Sequence, residues 1–178
     1  MSVTKMTMQS GHLRKLKEEE FDQAYHIYLD AFEWLKVKGV RQWLVPTSRT
    51  TYQEQQFRGE NFGYFISGEL CAIVSLANMP TKYWATQLGE VSRWWISMLA
   101  VEASYYGMGI GYEVVKSVEE YVRVLNVEEI FLDCVDEKGF LPRYYGSLGY
   151  SIIARQEITY PSGNTFPMVL MRKELGWR

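Results

Sequence analysis

The chain has 178 residues, of which 47% are hydrophobic and 15% are aromatic, and its formal net charge is -2. This length and composition predict a single domain with a hydrophobic core. The charge lacks the basic excess of a nucleic-acid-binding protein, and no apolar run approaches the roughly 20 residues of a membrane span, so neither nucleic acid nor a membrane is an expected partner.

The first ten residues contain no apolar segment of the kind found in a signal peptide, so a cytoplasmic location is expected. Residues 1–11 are predicted to form a flexible leader, and residues 12–178 are predicted to form one domain. Cys71 and Cys134 lie inside apolar runs and are interpreted as reduced core thiols. A zinc site needs more ligands at closer spacing, so no metal is expected.

The first half of the chain predicts two helices and a β-hairpin. An acidic first turn suits the dipole of the first helix, and Thr50 or Thr51 is expected to cap the second. The turn at 67–69 separates two apolar runs, which favours an antiparallel hairpin. The predicted elements are a strand at 12–16, helices over 17–39 and up to Arg58, strands at 61–66 and 70–76, and a loop over 79–93.

The middle of the chain predicts a strand, a glycine-rich turn and a helix. Residues 94–101 are apolar at nearly every position, as in a strand buried on both faces. Gly107, Gly109 and Gly111 follow, and apolar residues then recur at helical spacing over 110–125. Because the first N–H groups of a helix have no intrahelical acceptor and carry partial positive charge, this turn is a candidate anion site.

The C-terminal part of the chain predicts one more helix and three strands. A turn at 161–164, rich in residues that favour turns, is expected to join the last two strands. The predicted elements are a strand at 129–135, a helix at 139–147 and strands at 150–160 and 166–173. Taken alone, this order of elements indicates a mixed α/β fold.

Two segments resemble motifs of the GNAT superfamily of acetyl-CoA-dependent N-acetyltransferases. Residues 99–101 with 105–111 resemble motif A, Arg/Gln-x-x-Gly-x-Gly/Ala, with Tyr106 in place of the Arg or Gln. Residues 143–150 are similar to the family's Phe-Tyr-x-x-x-Gly-Phe segment. The resemblance covers nearly the whole chain. It implies a mixed, mostly antiparallel sheet of about seven strands, with helices on both faces and splayed central strands.

The resemblance also implies a set of residues that bind acetyl-CoA. Backbone N–H groups of motif A would cradle its pyrophosphate, and a tyrosine at 106 supplies such a group as well as an arginine. The tyrosine does remove one possible charged contact. A lysine at 138 stands where the family has Asn. The backbone N–H of Leu99 would donate to the acetyl carbonyl, and Val101 would hold the pantetheine. The implied cofactor-binding residues are Leu99, Ala100, Val101, Tyr106, Gly107, Met108, Gly109, Ile110, Gly111, Tyr112 and Lys138.

The implied reaction is the direct attack of an amine on the thioester within a ternary complex. Tyr145 matches the family's Tyr that protonates the departing thiolate, and its ordinary pKa of about 10 lies above that of a thiol. Asp133 matches the spacing of a Glu that deprotonates the amine and is a candidate general base. Deprotonation through a water molecule, ordered by Glu90 or Ser97, is left open as an alternative.

The expected activity is that of an acyltransferase transferring groups other than aminoacyl groups, with a primary amine of a small molecule or peptide as acceptor. Candidate walls of the acceptor site are Trp34, Trp43 and Trp84. The edge strands at the C-terminus suggest a homodimer.

Other classes of function are less well supported by the sequence. An acyl-CoA-binding sensor or interaction module of the same fold is the alternative, and the match at Tyr145 argues against it. Cys134 lacks a supporting His for a role as an acyl-carrying nucleophile. The Gly-x-Gly-x-x-Gly fingerprint of dinucleotide binding fails, because Tyr112 stands at its third glycine position.

Overall fold

The structure of the protein is a computed structural model that describes residues 11–42 and 46–176. The expected leader up to residue 10 and Trp43 lie outside the described residues. The elements are β1 (His12–Lys15), α1 (Phe21–Val37), α2 (Arg49–Phe57), β2 (Asn61–Ile66), β3 (Glu69–Met79), α3 (Ala85–Leu88), β4 (Arg93–Val101), α4 (Ile110–Val124), β5 (Glu129–Val135), α5 (Phe140–Ser147), β6 (Ser151–Thr159) and β7 (Thr165–Glu174).

The strands form a seven-stranded sheet in the order β1-β2-β3-β4-β5-β7-β6. Neighbouring strands are antiparallel except for β4 and β5, which run parallel and are connected through α4. A parallel pair needs such a crossover, because a tight turn can join only antiparallel strands. The predicted fold class, a mixed and mostly antiparallel sheet, is confirmed.

Helices cover both faces of the sheet and bury its alternating side chains. On one face, Ala24 and Ile27 of α1 pack with Ile73 of β3. On the other face, Val114 and Val118 of α4 belong to a second buried cluster, whose strand members include Val74, Ile130 and Leu132. Successive residues of β3 therefore serve opposite faces, as the period of a strand requires. Cys71 and Cys134 are free and buried, as predicted.

Two local predictions are corrected by the structure. Ser48 caps α2, because its backbone is extended and its Oγ accepts the N–H of Thr51 at 3.1 Å, whereas Thr50 and Thr51 lie within the first turn. The expected loop over 79–93 contains a 3-10 turn at Lys82–Trp84 and the short helix α3. The burial of Trp84, which is fully enclosed, orders this segment.

Candidate active site

Strand β4 carries a bulge at Met98, close to its C-terminal end. Met98 has a φ of 53°, and the register with β3 shifts between the pairs Ile73–Ala100 and Ser75–Ser97. Two residues of β4 therefore oppose one residue of β3. A bulge of this kind bends the strand and changes where its side chains point. Here Met98 packs beneath α1, and Ser97 is exposed.

The neighbouring strands β4 and β5 are paired at one point and diverge beyond it. In the part of the chain that the structure describes, the one residue pair that joins them is Trp95 opposite Phe131. Backbone N–H groups of β5 that come after Phe131 and face β4 therefore need acceptors outside β4. Val135 donates its N–H to the side-chain oxygen of Gln42 at 2.7 Å. The splayed central strands predicted from the resemblance are present, and they leave a slot between β4 and β5.

The glycine turn before α4 presents amides without protein acceptors. Gly107 and Gly109 have φ values of 76° and 78°, and a Cβ atom added to either would meet nothing within 4 Å. Among the described residues, no acceptor bonds the N–H groups of Gly109, Ile110 or Gly111, while the neighbouring amides of Met108 and Tyr112 donate within the turn. Free amides at a helix N-terminus favour a bound anion.

These amides open onto a cleft of about 430 Å³ between α1, β4, α4 and α5. Most of the predicted cofactor-binding residues line it: Leu99, Ala100, Val101, Tyr106, Gly107, Gly109, Ile110, Gly111 and Tyr112. Met108 and Lys138 are not among the lining residues, and both are exposed. A Cβ atom added to Gly39 would lie 3.8 Å from the Lys138 ammonium, so this side chain extends toward the end of α1.

Helix α5 contributes two tyrosines to the cleft. Tyr145 was predicted, and Tyr144 was not; their ring centroids are 5.1 Å apart and nearly perpendicular. Burial raises the pKa of the Tyr145 phenol, and the nearby Cys134, Tyr144 and Asp133 raise it further. The Tyr145 side chain packs against the buried cluster that contains Cys134 of β5, and its phenol keeps its proton throughout the neutral pH range.

Asp133 lies on β5, on the sheet face that also holds Trp84. Its carboxylate accepts the indole N–H of Trp84 at 2.7 Å. Burial raises the pKa of Asp133, and the indole hydrogen bond offsets part of this rise. Burial raises the pKa of Tyr160 to about 12, with further contributions from Asp133 and from Tyr83, whose ring centroid is 5.4 Å from that of Tyr160.

The remaining predicted site residues are spread over the molecule. Trp34 of α1 lines the cleft, and its ring centroid is 5.7 Å from that of Tyr106. Trp84 is fully buried and serves as the hydrogen-bond donor to Asp133. Glu90 is exposed on the segment before β4 and is not among the residues that line the cleft.

Sequence reasoning missed Tyr144 and the α1 residues Ala31 and Leu35, which line the cleft, and Gln42, which accepts the N–H of Val135. Tyr144 directly precedes the motif residue Tyr145, and this adjacency was the signal in the sequence that could have identified it. Gln42 carried no local signal. Within the described residues, no three His, Cys, Asp or Glu side chains cluster closely enough to hold a metal ion.

The splayed parallel pair, the bulged strand and the free amides beside a cleft together define an α/β fold with a candidate anion site. A model of the Acetyltransferase (GNAT) family matches residues 21–150, and the chain belongs to this family. The uncharacterized N-acetyltransferase YesJ of Bacillus subtilis (strain 168) is 26% identical over 134 residues, which are 72% of this chain and 74% of that protein.

Solved structures share the fold over nearly the whole chain. A GNAT-family acetyltransferase from Listeria monocytogenes 4b F2365 has a TM-score of 0.77 at 17% identity, covering 93% of this chain and 95% of its own. The protein yncA from Salmonella typhimurium, solved with its cofactor acetyl-CoA, has a TM-score of 0.67 at 13% identity and covers 96% of both chains. No helix in the described ranges is long and apolar enough to cross a membrane.

Proposed function

We propose that the protein transfers an acetyl group from acetyl-CoA to a primary amine of a small molecule or peptide, by direct attack in a ternary complex. The observation that carries this proposal is the set of free amides at Gly109, Ile110 and Gly111, which opens onto a cleft lined by the end of β4, past its pairing with β5. A diphosphate fits the amides, because glycine leaves their approach open.

The chain's own groups have separate roles in this proposal. When bound, acetyl-CoA would supply the activated acetyl group. The backbone N–H of Leu99 would stabilise negative charge at the acetyl oxygen, and Val101 would hold the pantetheine arm. Tyr145 would give its proton to the departing sulfur. Asp133, with its raised pKa, would accept the proton of the amine. Because Trp84 already bonds Asp133, a water molecule held by Ser97 or Glu90 is the competing route.

A thermal-shift measurement tests the cofactor. Acetyl-CoA at 100 times its Kd should stabilise the fold by about 2.7 kcal/mol, while NAD at the same concentration should not. A chain that melts at the same temperature with and without saturating acetyl-CoA would contradict the proposal. A screen for CoA release across peptide N-termini, polyamines, amino acids and aminoglycosides would then identify the acceptor.

The alternative function is an acyl-CoA-binding sensor or interaction module without catalysis. The observation that favours it is the engagement of Asp133 by Trp84, which leaves the carboxylate less free to take a proton. This alternative predicts stabilisation by acetyl-CoA with no CoA release against the whole panel of amines. The cytoplasmic location and the homodimer stay predictions, and sedimentation velocity would measure the second.

A further inference from the structure

The two neighbouring tyrosines of α5 both line the cleft, but their rings are nearly perpendicular. Tyr145 packs against the buried cluster that contains Cys134 of β5, and its ring centroid is 6.2 Å from that of Tyr150. The Tyr144 hydroxyl instead lies 2.5 Å from the position that a Cβ atom would take on Gly111. The hydroxyl of Tyr144 is therefore placed over the first turn of α4, beside the free amides.

The Tyr144 hydroxyl is available for a ligand. Among the described residues it makes no recorded hydrogen bond to a protein group, although the side chain is half-buried and lines the cleft. A partly buried hydroxyl without a partner loses part of its hydration, which a ligand oxygen could restore. Among the described residues that line this cleft there is no acidic side chain, so no carboxylate there competes with a phosphate for this donor.

The donors around this point suit one kind of ligand. Three hydrogen-bond donors lie close together here: the N–H groups of Ile110 and Gly111, and the O–H of Tyr144. A phosphate group has several acceptor oxygens and accepts from such donors strongly. The motif that residues 143–150 resemble has Phe at the position of Tyr144. The hydroxyl is thus an addition here, in a chain where Tyr106 stands in place of the motif's Arg or Gln.

We propose that Tyr144 is a binding residue for the diphosphate of acetyl-CoA, and that its O–H donates to a phosphate oxygen above the N-terminus of α4. This inference rests on the proposed function. It also explains the glycine at 111, because a Cβ atom there would collide with the hydroxyl. Tyr144 contributes to affinity, while Tyr145 acts on the thioester.

Isothermal titration calorimetry with acetyl-CoA tests the inference. Tyr144→Phe keeps the ring and should raise the Kd about 10-fold, the loss expected for one hydrogen bond to a charged group. Tyr121→Phe is the matched control, because that half-buried tyrosine packs on Phe62 within the core under α4, and its Kd should not change. Melting temperatures of both variants would verify that they are folded.

Fragments of the cofactor locate the effect. ADP carries the diphosphate without the pantetheine arm, and pantetheine carries the arm without the diphosphate. Tyr144→Phe should weaken competition by ADP and leave competition by pantetheine unchanged. Equal weakening of both, or a Kd for acetyl-CoA within twofold of the wild type, would overturn this inference alone. A wild-type chain that binds no acetyl-CoA would overturn the proposed function as well.

Discussion

At the α4 end of the cleft, the polar groups are backbone amides of Gly109, Ile110 and Gly111 with no protein acceptor among the described residues. On β5, which does not line the cleft and is called here the β5 end of the site, the polar groups already have protein partners: Asp133 accepts from Trp84, and Val135 donates to Gln42. The first end is ready to receive an anion without rearrangement. At the second end, any incoming polar group must share or replace a hydrogen bond that the protein makes.

Under the proposed function, the α4 end binds the cofactor and the β5 end takes part in the reaction. Preformed donors lower the cost of holding a ligand, because little has to be ordered or broken when it binds. A carboxylate held away from water by burial instead has an altered proton affinity, which is what a general base requires. Variants at the α4 end should therefore change affinity, and variants at the β5 end should change turnover and the response to pH.

The largest effect is expected for Tyr145→Phe, which removes the hydroxyl group proposed as the general acid. Turnover with an acceptor from the CoA-release screen should fall by about 100-fold, the usual contribution of a general acid. The Kd for acetyl-CoA from calorimetry should stay the same, because the ring and its contacts remain. Unchanged turnover would remove Tyr145 from the acid role and weaken the separation of the two ends.

At the α4 end, Gly109→Val should weaken acetyl-CoA binding by at least about 10-fold, since distorting the turn moves several donors at once. A β-branched residue is strained at the φ of 78° found there, so the fold should also lose about 1–3 kcal/mol. Gly68→Val is the matched control: Gly68 has a φ of 85° in the β2–β3 turn, and a Cβ there meets nothing within 4 Å.

The control should lose similar stability in chemical denaturation and keep its Kd for acetyl-CoA. If Gly109→Val binds as tightly as the wild type, the amides of this turn do not hold the cofactor. If Gly68→Val binds as poorly as Gly109→Val, the loss reflects general destabilisation rather than the cradle.

At the β5 end, Asp133→Asn should lower turnover. At pH values above neutral, it should also raise the free energy of unfolding. The folded pKa of Asp133 is raised above its ordinary value of 3.8 by burial, so the folded state binds this proton more tightly than the unfolded chain does. The contribution of this carboxyl to stability is fully present below its ordinary pKa. The contribution is lost as the pH rises through the higher pKa of the folded state. The variant, which is always neutral, avoids that loss.

Urea denaturation between pH 4 and pH 8 measures this effect. The stability advantage of Asp133→Asn should be on the order of 1 kcal/mol at pH 8 and should shrink toward pH 4. A stability advantage that does not change with pH would show that ionisation of the Asp133 carboxyl does not destabilise the fold. A stabilised variant with full turnover would favour the route through an ordered water.

The smallest effect is expected for Cys134→Ala. Cys134 is free and buried, and burial raises the pKa of its thiol, so it is poorly suited to attack a thioester. Turnover should stay within about twofold, and stability should fall by about 1 kcal/mol because a core group is truncated. Loss of turnover with normal cofactor binding would instead indicate an acyl-enzyme, and would move the chemistry from Tyr145 and Asp133 to the thiol.

Several elements could be read directly from the chain. The strands Asn61–Ile66 and Glu129–Val135 were predicted with their observed limits, because turn-forming or polar residues flank compact apolar runs. Ser48 was missed as a cap, and the bulge at Met98 was not foreseen. The buried Glu119 was also missed, since its partner Lys173 lies on β7, far along the chain.

The sequence by itself determined the glycine turn and its free amides, because such amides at a helix start depend on the backbone angles of a few consecutive residues, and glycines at those positions permit them. Only the tertiary structure decided the surroundings of Asp133. The indole that bonds it lies 49 residues earlier in the chain, and the amide of Val135 is satisfied by a side chain 93 residues away. Partners at such distances leave no periodic or local trace, so the proton affinity of this carboxylate follows from the packing of the sheet.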